Sequence, residues 1–182
     1  NGLLPLRAAA QPFATAYSFR RFLQKNLKLH LTESPKADSL AGVRLMPLRG
    51  LPSEIEKRWP MASSRMLTGH PSFLQTLPID HSVGVVKIRG GASAALSVWK
   101  EFLNQRLARY LESRNQPAGE RTSGLSPYLH FGNISVHQVF LDLMQQEGWT
   151  VQDLSAKTTG SRRGWWGVRD PAEAFLDQLI TW

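Results

Sequence analysis

Cysteine is absent from all 182 residues, which excludes a disulfide framework, a thiolate metal site and a thiol nucleophile. No apolar run approaches the roughly 20 residues of a membrane-spanning helix, and Asn1-Gly2-Leu3-Leu4-Pro5-Leu6 is too short for the apolar core of a secretion signal. Neither G-x-G-x-x-G nor G-x-x-x-x-G-K-[ST] occurs, so a Rossmann dinucleotide site and a P-loop are not indicated. The five histidines, His30, His70, His81, His130 and His137, share no ligand spacing supported by carboxylates, and no metal site is expected. Ser126 lies between Leu125 and Pro127, the wrong neighbours for a nucleophile elbow. No acid/base pair suited to unaided hydrolysis is visible, so no catalytic side chain is assigned. Such a chain suits a cofactor protein, in which the cofactor carries the hard chemistry.

Acid is scarce at one end. Residues 1–31 carry five basic groups and no acid, residues 32–91 carry eight basic and five acidic, and residues 92–182 carry nine of each. The net charge of +8 favours attraction to nucleic-acid phosphates. A solvated basic helix face accounts equally well for residues 20–28.

Periodicity divides the chain. Gly2 to Leu6 reads as the end of a strand. From Tyr17 to Leu31, Phe19, Phe22, Leu23, Leu27 and Leu31 recur at helical spacing, with Arg20, Arg21, Lys25 and Lys28 between them, which predicts an amphipathic helix. Residues 32–84 hold six of the eleven prolines and show no sustained period. Only a short helix is expected there, from Ser53 to Trp59, with a Ser53–Glu56 capping box. Met61, Met66, Phe73 and Leu74 supply apolar mass to dock this connector. A long helix follows from Ala92 to Glu112 with Leu96, Trp99, Leu103, Leu107, Tyr110 and Leu111 on one stripe. Ser135, with Gln138 as capping-box partner, opens another helix that ends at Gly148. Residues 149–169 read as a loop centred on Gly160-Ser161-Arg162-Arg163-Gly164-Trp165-Trp166-Gly167. Two arginines and two tryptophans there suit either a nucleic-acid clamp or indoles that fasten the loop to the core. Asp170, Pro171 and Glu173 read as N-cap, first position and capping box of a last helix.

Thr122-Ser123-Gly124-Leu125-Ser126-Pro127 gathers three hydroxyls, a glycine and a proline just ahead of an apolar run. Ser126 suits an N-cap and Pro127 the first helical position. Free amides at that helix start, together with the hydroxyls, suit a phosphate or pyrophosphate. A capped helix without ligand has the same local chemistry.

The run TSGLSPYLHFGNIS resembles the signature of the photolyase/cryptochrome flavoprotein family, in which a Thr-Ser-x-Leu-Ser-Pro turn binds the FAD pyrophosphate. Tyr110 stands twelve residues before Thr122, as the family's phosphate-contacting tyrosine does. Arg114, Asn115 and Pro117 match its Tyr-x-x-x-Arg-(Asp/Asn)-x-Pro pattern. Gly90-Gly91 resembles the opening of its helical flavin domain, and Ala174 to Ile180 resembles the helix that passes flavin and substrate cavity.

The resemblance implies a mainly α chain: residues 1–32 as the strand-helix tail of an α/β Rossmann-like antenna domain, 33–84 as an interdomain linker, and 85–182 as the first part of an all-helical FAD-binding domain. A start at Asn1 and an amphipathic pattern still running at Trp182 lead to the expectation of a piece of a longer protein. FAD is the implied cofactor, with a second antenna chromophore of unspecified identity. Tyr110, Thr122, Ser123, Gly124, Leu125, Ser126 and Phe175 are the implied cofactor contacts, and Arg114, Gln178 and Trp182 face DNA or substrate. The implied activity is light-dependent repair as a deoxyribodipyrimidine photolyase, by electron transfer from excited reduced FAD to a flipped-out pyrimidine dimer. The implied partner is damaged DNA, bound by a monomer away from any membrane. A cryptochrome-like photoreceptor that binds FAD without repairing DNA is the alternative. Gln178 is a departure, because family photolyases usually carry glutamate there. Glutamine can hydrogen-bond a thymine edge but carries no charge.

Overall fold

The computed structural model describes residues 2–32, 34–36, 38–116 and 121–181. It divides into two compact units, Asn1–Ala37 with Arg89–Trp182, and Asp38–Ile88. Every regular element among the described residues is helical, in line with the expected mainly α class. Gly2 to Leu6 is a correction: bends lead into a 3-10 turn at Leu6–Ala8 rather than a strand. Leu3 and Leu4 are buried there, so the apolar run marked a core contact, with no second strand among the described residues to pair with.

In the larger unit, α1 (Ala16–Asn26) starts at Thr15, whose hydroxyl accepts from the Ser18 amide at 3.1 Å, and continues as a 3-10 turn through His30. Leu23, Leu27 and Leu31 are its core face. Arg20, expected on the polar side, is instead buried. It pairs with Asp177 at 3.4 Å, and its Nε donates to the Gly160 carbonyl at 3.1 Å. Gln24 donates to the Ser161 carbonyl and accepts from the Gly160 amide. These bonds tie α1 to the 160s loop and supply the partners that a buried guanidinium requires.

The smaller unit holds three short helices, α2 (Ser53–Arg58), α3 (Ser64–Leu67) and α4 (Pro71–Leu74), none with a buried residue. The expected box at Ser53 is absent. Pro52 holds the cap position and no side chain bonds there, while Trp59 closes α2 ahead of Pro60 as expected. Met61 and Met66 are exposed.

The long helical run proves to be four joined pieces. α5 (Ala92–Glu101) opens at Gly91, where φ is 99°, a left-handed value that favours glycine. A π turn follows at Phe102–Arg106, then a 3-10 turn at Leu107–Arg109, then α6 (Tyr110–Ser113). The reason lies in the spacing of core residues. Ala95, Trp99 and Phe102 are three and four apart, but the next buried apolar residue, Leu107, comes five later. An α-helix would rotate Leu107 about 140° away from Phe102 at 3.6 residues per turn. The π turn, in which the Leu107 amide bonds the Phe102 carbonyl, absorbs the extra residue and returns Leu107 and Tyr110 to the core. The stripe read from the sequence was therefore displaced: Phe102 is buried, whereas Leu96, Leu103 and Leu111 are half-buried.

α7 (Ser126–His130) and α8 (Val136–Glu147) add Tyr128, Val139, Phe140, Leu143 and Met144 to the same core. Ser135 caps α8 through the Gln138 amide, and Gly148 ends it in the left-handed region. Trp99 Nε1 donates to Asp142 of α8 at 2.9 Å, and the Asn133 side chain accepts from the Gly91 amide. The last element is α9 (Asp170–Leu176), prolonged by a π turn at Asp177–Thr181. Its Phe175 ring packs on Trp99, Phe102 and Tyr110 at centroid distances of 5.0–5.6 Å. Burial of each such side chain is worth about 1.5–3 kcal/mol.

The start of α9 departs from expectation. Arg169 occupies the cap position, and Glu173 makes no capping box. Its buried carboxylate turns to the preceding loop and accepts from the amides of Gly164 at 2.7 Å, Trp165 at 3.0 Å and Trp166 at 3.1 Å. Both indoles are buried in the core. Of the two readings of that loop, core attachment holds for the tryptophans. The arginines remain exposed.

Candidate functional site

The turn from Arg121 to Leu125 hangs between two fixed ends. Arg106, on the π turn, donates to the Thr122 carbonyl at 3.0 Å, and Leu125 is 1% exposed in the core. Gly124 adopts φ of 70°, and a Cβ there would meet Val98 at 3.4 Å. Inside the turn the Leu125 amide donates to the Ser123 hydroxyl at 3.3 Å. Leu125, rather than Ser126, is the cap residue of α7, and no side chain caps this helix. Ser126 and Pro127 are thus the first and second helical positions, a shift of one residue that releases the Ser126 hydroxyl from capping.

That hydroxyl lines a pocket of about 360 Å³ together with Thr122, Ser123 and Tyr110 on the polar side and Leu129, Phe175 and Leu179 on the apolar side. Gln178, exposed on the final π turn, completes the rim. Six sequence-derived candidates, Tyr110, Thr122, Ser123, Ser126, Phe175 and Gln178, therefore meet around one cavity. Gly124 and Leu125 support the turn and do not line the cavity. Trp182 and Pro117 lie outside the described residues.

Burial pushes the Tyr110 phenol above its ordinary value, against the opposing charge and hydrogen bond of Arg114. The phenol stays protonated at neutral pH and can donate a hydrogen bond. Arg114 itself faces a neighbouring cavity. Sequence reasoning did not single out Arg106, Leu129 or Leu179 as site residues. Arg106 and Leu179 stand on the two π turns, and Leu129 stands on α7.

Four hydroxyls opposite an apolar wall suit a ligand with a phosphate portion and a flat apolar portion. Hydroxyls donate to phosphoryl oxygens without a counter-charge, and the aromatic edge excludes water. The donor set fits the FAD implied by the turn motif.

The chain is similar to deoxyribodipyrimidine photo-lyase of Methanothermobacter thermautotrophicus, with 51% identity over 47 residues, 26% of this chain and 11% of that protein. It is 33% identical over 70 residues to deoxyribodipyrimidine photo-lyase of Potorous tridactylus, covering 38% of this chain and 13% of the relative. It is 46% identical over 50 residues to cryptochrome-1 of Sinapis alba, 28% of this chain and 10% of that protein. The matched segments thus span about a tenth of the curated relatives' length. No family model matches the chain.

Proposed function

We propose that the chain, similar in its matched segments to photolyases and cryptochromes, is a piece of a protein of that family, and that its hydroxyl-lined pocket is one wall of an FAD site in a light-dependent DNA-repair protein. The observation that carries this reading is the convergence of Tyr110, Thr122, Ser123 and Ser126 on one cavity with Phe175. Thr122, Ser123, Ser126 and Tyr110 hold the pyrophosphate by hydrogen bonds. Phe175 and Leu179 keep water from the flavin side. Gly124 and Leu125 set the turn's backbone, and Arg106 holds its carbonyl. Residues 1–32, 33–84 and 85–182 serve as antenna-domain tail, linker and first part of the FAD-binding domain.

FAD, when bound, supplies the electron that opens the pyrimidine dimer under light. The residues of this chain position that exchange. Gln178 offers its amide to a pyrimidine edge and Arg114 draws the DNA backbone, while Trp182 keeps only the substrate role that the family resemblance implies. A monomer acting on damaged DNA, with a second antenna chromophore, fits this reading. Among the described residues no helix is long and apolar enough to cross a membrane.

Gln178 favours a second reading, a photoreceptor that keeps the flavin and does not repair DNA. It places an uncharged amide at the pocket rim, where family photolyases usually carry a carboxylate.

Thr122→Ala combined with Ser126→Ala removes two of the four hydroxyls. FAD retention, read by flavin absorbance after gel filtration, should fall at least tenfold, equivalent to about 1.4 kcal/mol. Unchanged retention would refute the pyrophosphate site. Light-dependent loss of dimers from irradiated DNA separates repair from signalling: loss supports repair, and no loss with flavin bound supports the photoreceptor.

A further inference from the structure

Beside the hydroxyl-lined pocket lies a second, of about 210 Å³, walled by Leu111, Arg114, Arg162, Arg163, Ala174 and Asp177. Three guanidinium groups share it with one carboxylate, and that carboxylate already pairs with Arg20. Arg162 has no acidic partner among the described residues. Among the described residues, Arg163 reaches only the exposed Asp170, at 4.0 Å. The Arg114 guanidinium also hydrogen-bonds the Tyr110 phenol. The cavity therefore carries surplus positive charge, and arginine forks match the oxygens of a phosphate.

The two arginines on the loop are held in advance. Arg20 and Gln24 bond Gly160 and Ser161. The Ser161 hydroxyl donates to the Arg163 carbonyl at 3.0 Å and accepts from its amide at 3.2 Å. Glu173 takes the next three amides. Binding thus orders little additional backbone.

We propose that this three-arginine cup seats one backbone phosphate of the nucleic-acid strand whose bases approach the neighbouring pocket, with Arg162 and Arg163 as phosphate-binding residues alongside Arg114. The inference rests on the DNA-binding reading above. Its further support is adjacency. Leu111 and Arg114 follow Tyr110 on one helical run, and Ala174 and Asp177 alternate with Phe175 and Gln178 on the other, so the two pockets open on neighbouring faces of the same two elements. A strand thus seats a phosphate in the cup while its base meets Gln178 on the rim of the other pocket, whose interior is left to the pyrophosphate.

The test compares the full chain with R162Q/R163Q by fluorescence anisotropy of a labelled single-stranded oligonucleotide, titrated between about 50 and 200 mM salt. The double variant should lose about one unit from the slope of log affinity against log salt, with affinity down about tenfold at low salt. R162K/R163K should keep the slope and recover only part of the affinity, because charge remains while the fork is lost. Both side chains are exposed, so thermal unfolding should not move. An unchanged slope, with wild-type binding intact, overturns the cup and leaves the DNA reading standing. Absence of nucleic-acid binding by the wild type overturns both. Saturable binding of inorganic phosphate that the Gln variant loses, without nucleic-acid binding, identifies a free-anion site and overturns the nucleic-acid assignment.

Discussion

Glu173 offers the sharpest test of how the loop over residues 160–167 is held. Its carboxylate is 3% exposed and takes three backbone amides, Gly164 on Oε2 and Trp165 and Trp166 on Oε1. The two oxygens have unequal duties, which makes Gln and Ala variants diagnostic. Glu173→Gln retains Oε1 for the two buried tryptophan amides and turns an amide N–H toward Gly164. Gly164 is exposed, so water can replace its partner, and the loss should be about 1–2 kcal/mol. Glu173→Ala strands the Trp165 and Trp166 amides under the indoles, where water does not reach. At about 1–3 kcal/mol for each unsatisfied buried donor, plus the lost Gly164 bond, the Ala variant should lose about 4 kcal/mol. With a urea slope of about 2 kcal/mol/M, these losses move the midpoint by roughly 0.5–1 M for Gln and 2 M for Ala. Tryptophan fluorescence during urea unfolding reads both. Equal losses for the two variants, or a loss under about 0.5 kcal/mol for Ala, would refute the assignment of Glu173 as the loop's hydrogen-bond centre.

Other elements make separate commitments. Gly167→Ala places a Cβ against the Asp153 carbonyl at a φ of 70°, so a loss of about 1–3 kcal/mol in the same titration is expected, and a neutral result would contradict the close approach. Burial pushes the Glu147 carboxyl up, but the hydrogen bonds and charge of Arg169 outweigh it, and the group ends below its ordinary value. Stability from this pair is therefore complete above the unfolded glutamate range, near pH 4.3, and is lost as pH falls through the lower folded value. Arg169→Gln should cost about 1 kcal/mol at pH 7, discounted for the exposed guanidinium, and almost nothing at pH 2, which paired unfolding curves would show. Deleting exposed Gln105 shortens the Phe102–Leu107 step to four residues, which an α-helix accepts, so the variant should stay folded. Inserting an alanine at the same place should expel Leu107 and Tyr110 from the core at a cost of roughly 3 kcal/mol or more, measured by denaturant unfolding.

How much of this molecule can be read along the chain follows from the range of the forces involved. Helix class, the Thr122–Pro127 turn, the start of α8 at Ser135 and its end at Gly148 all depend on residues within four positions of one another. The family resemblance also resides in contiguous runs. Where reading failed, the partner lay far away in sequence or the period broke. Glu173 satisfies every local rule for a capping box, yet the unmet amides of Gly164 to Trp166 compete for it and win, because buried donors cannot turn to water. Arg20 has the spacing of a solvent face, and only the folded chain brings Asp177 and Gly160 to it. Phe102 displaced Leu103 from the core because the five-residue step to Leu107 required a π turn, and that choice is made by what packs best on Trp99 and Phe175. Local chemistry wrote the hydroxyls of the pocket into the sequence. Their meeting with Tyr110, Phe175 and Gln178 came from packing, since burial of those aromatic rings fixes where separate stretches of chain come together.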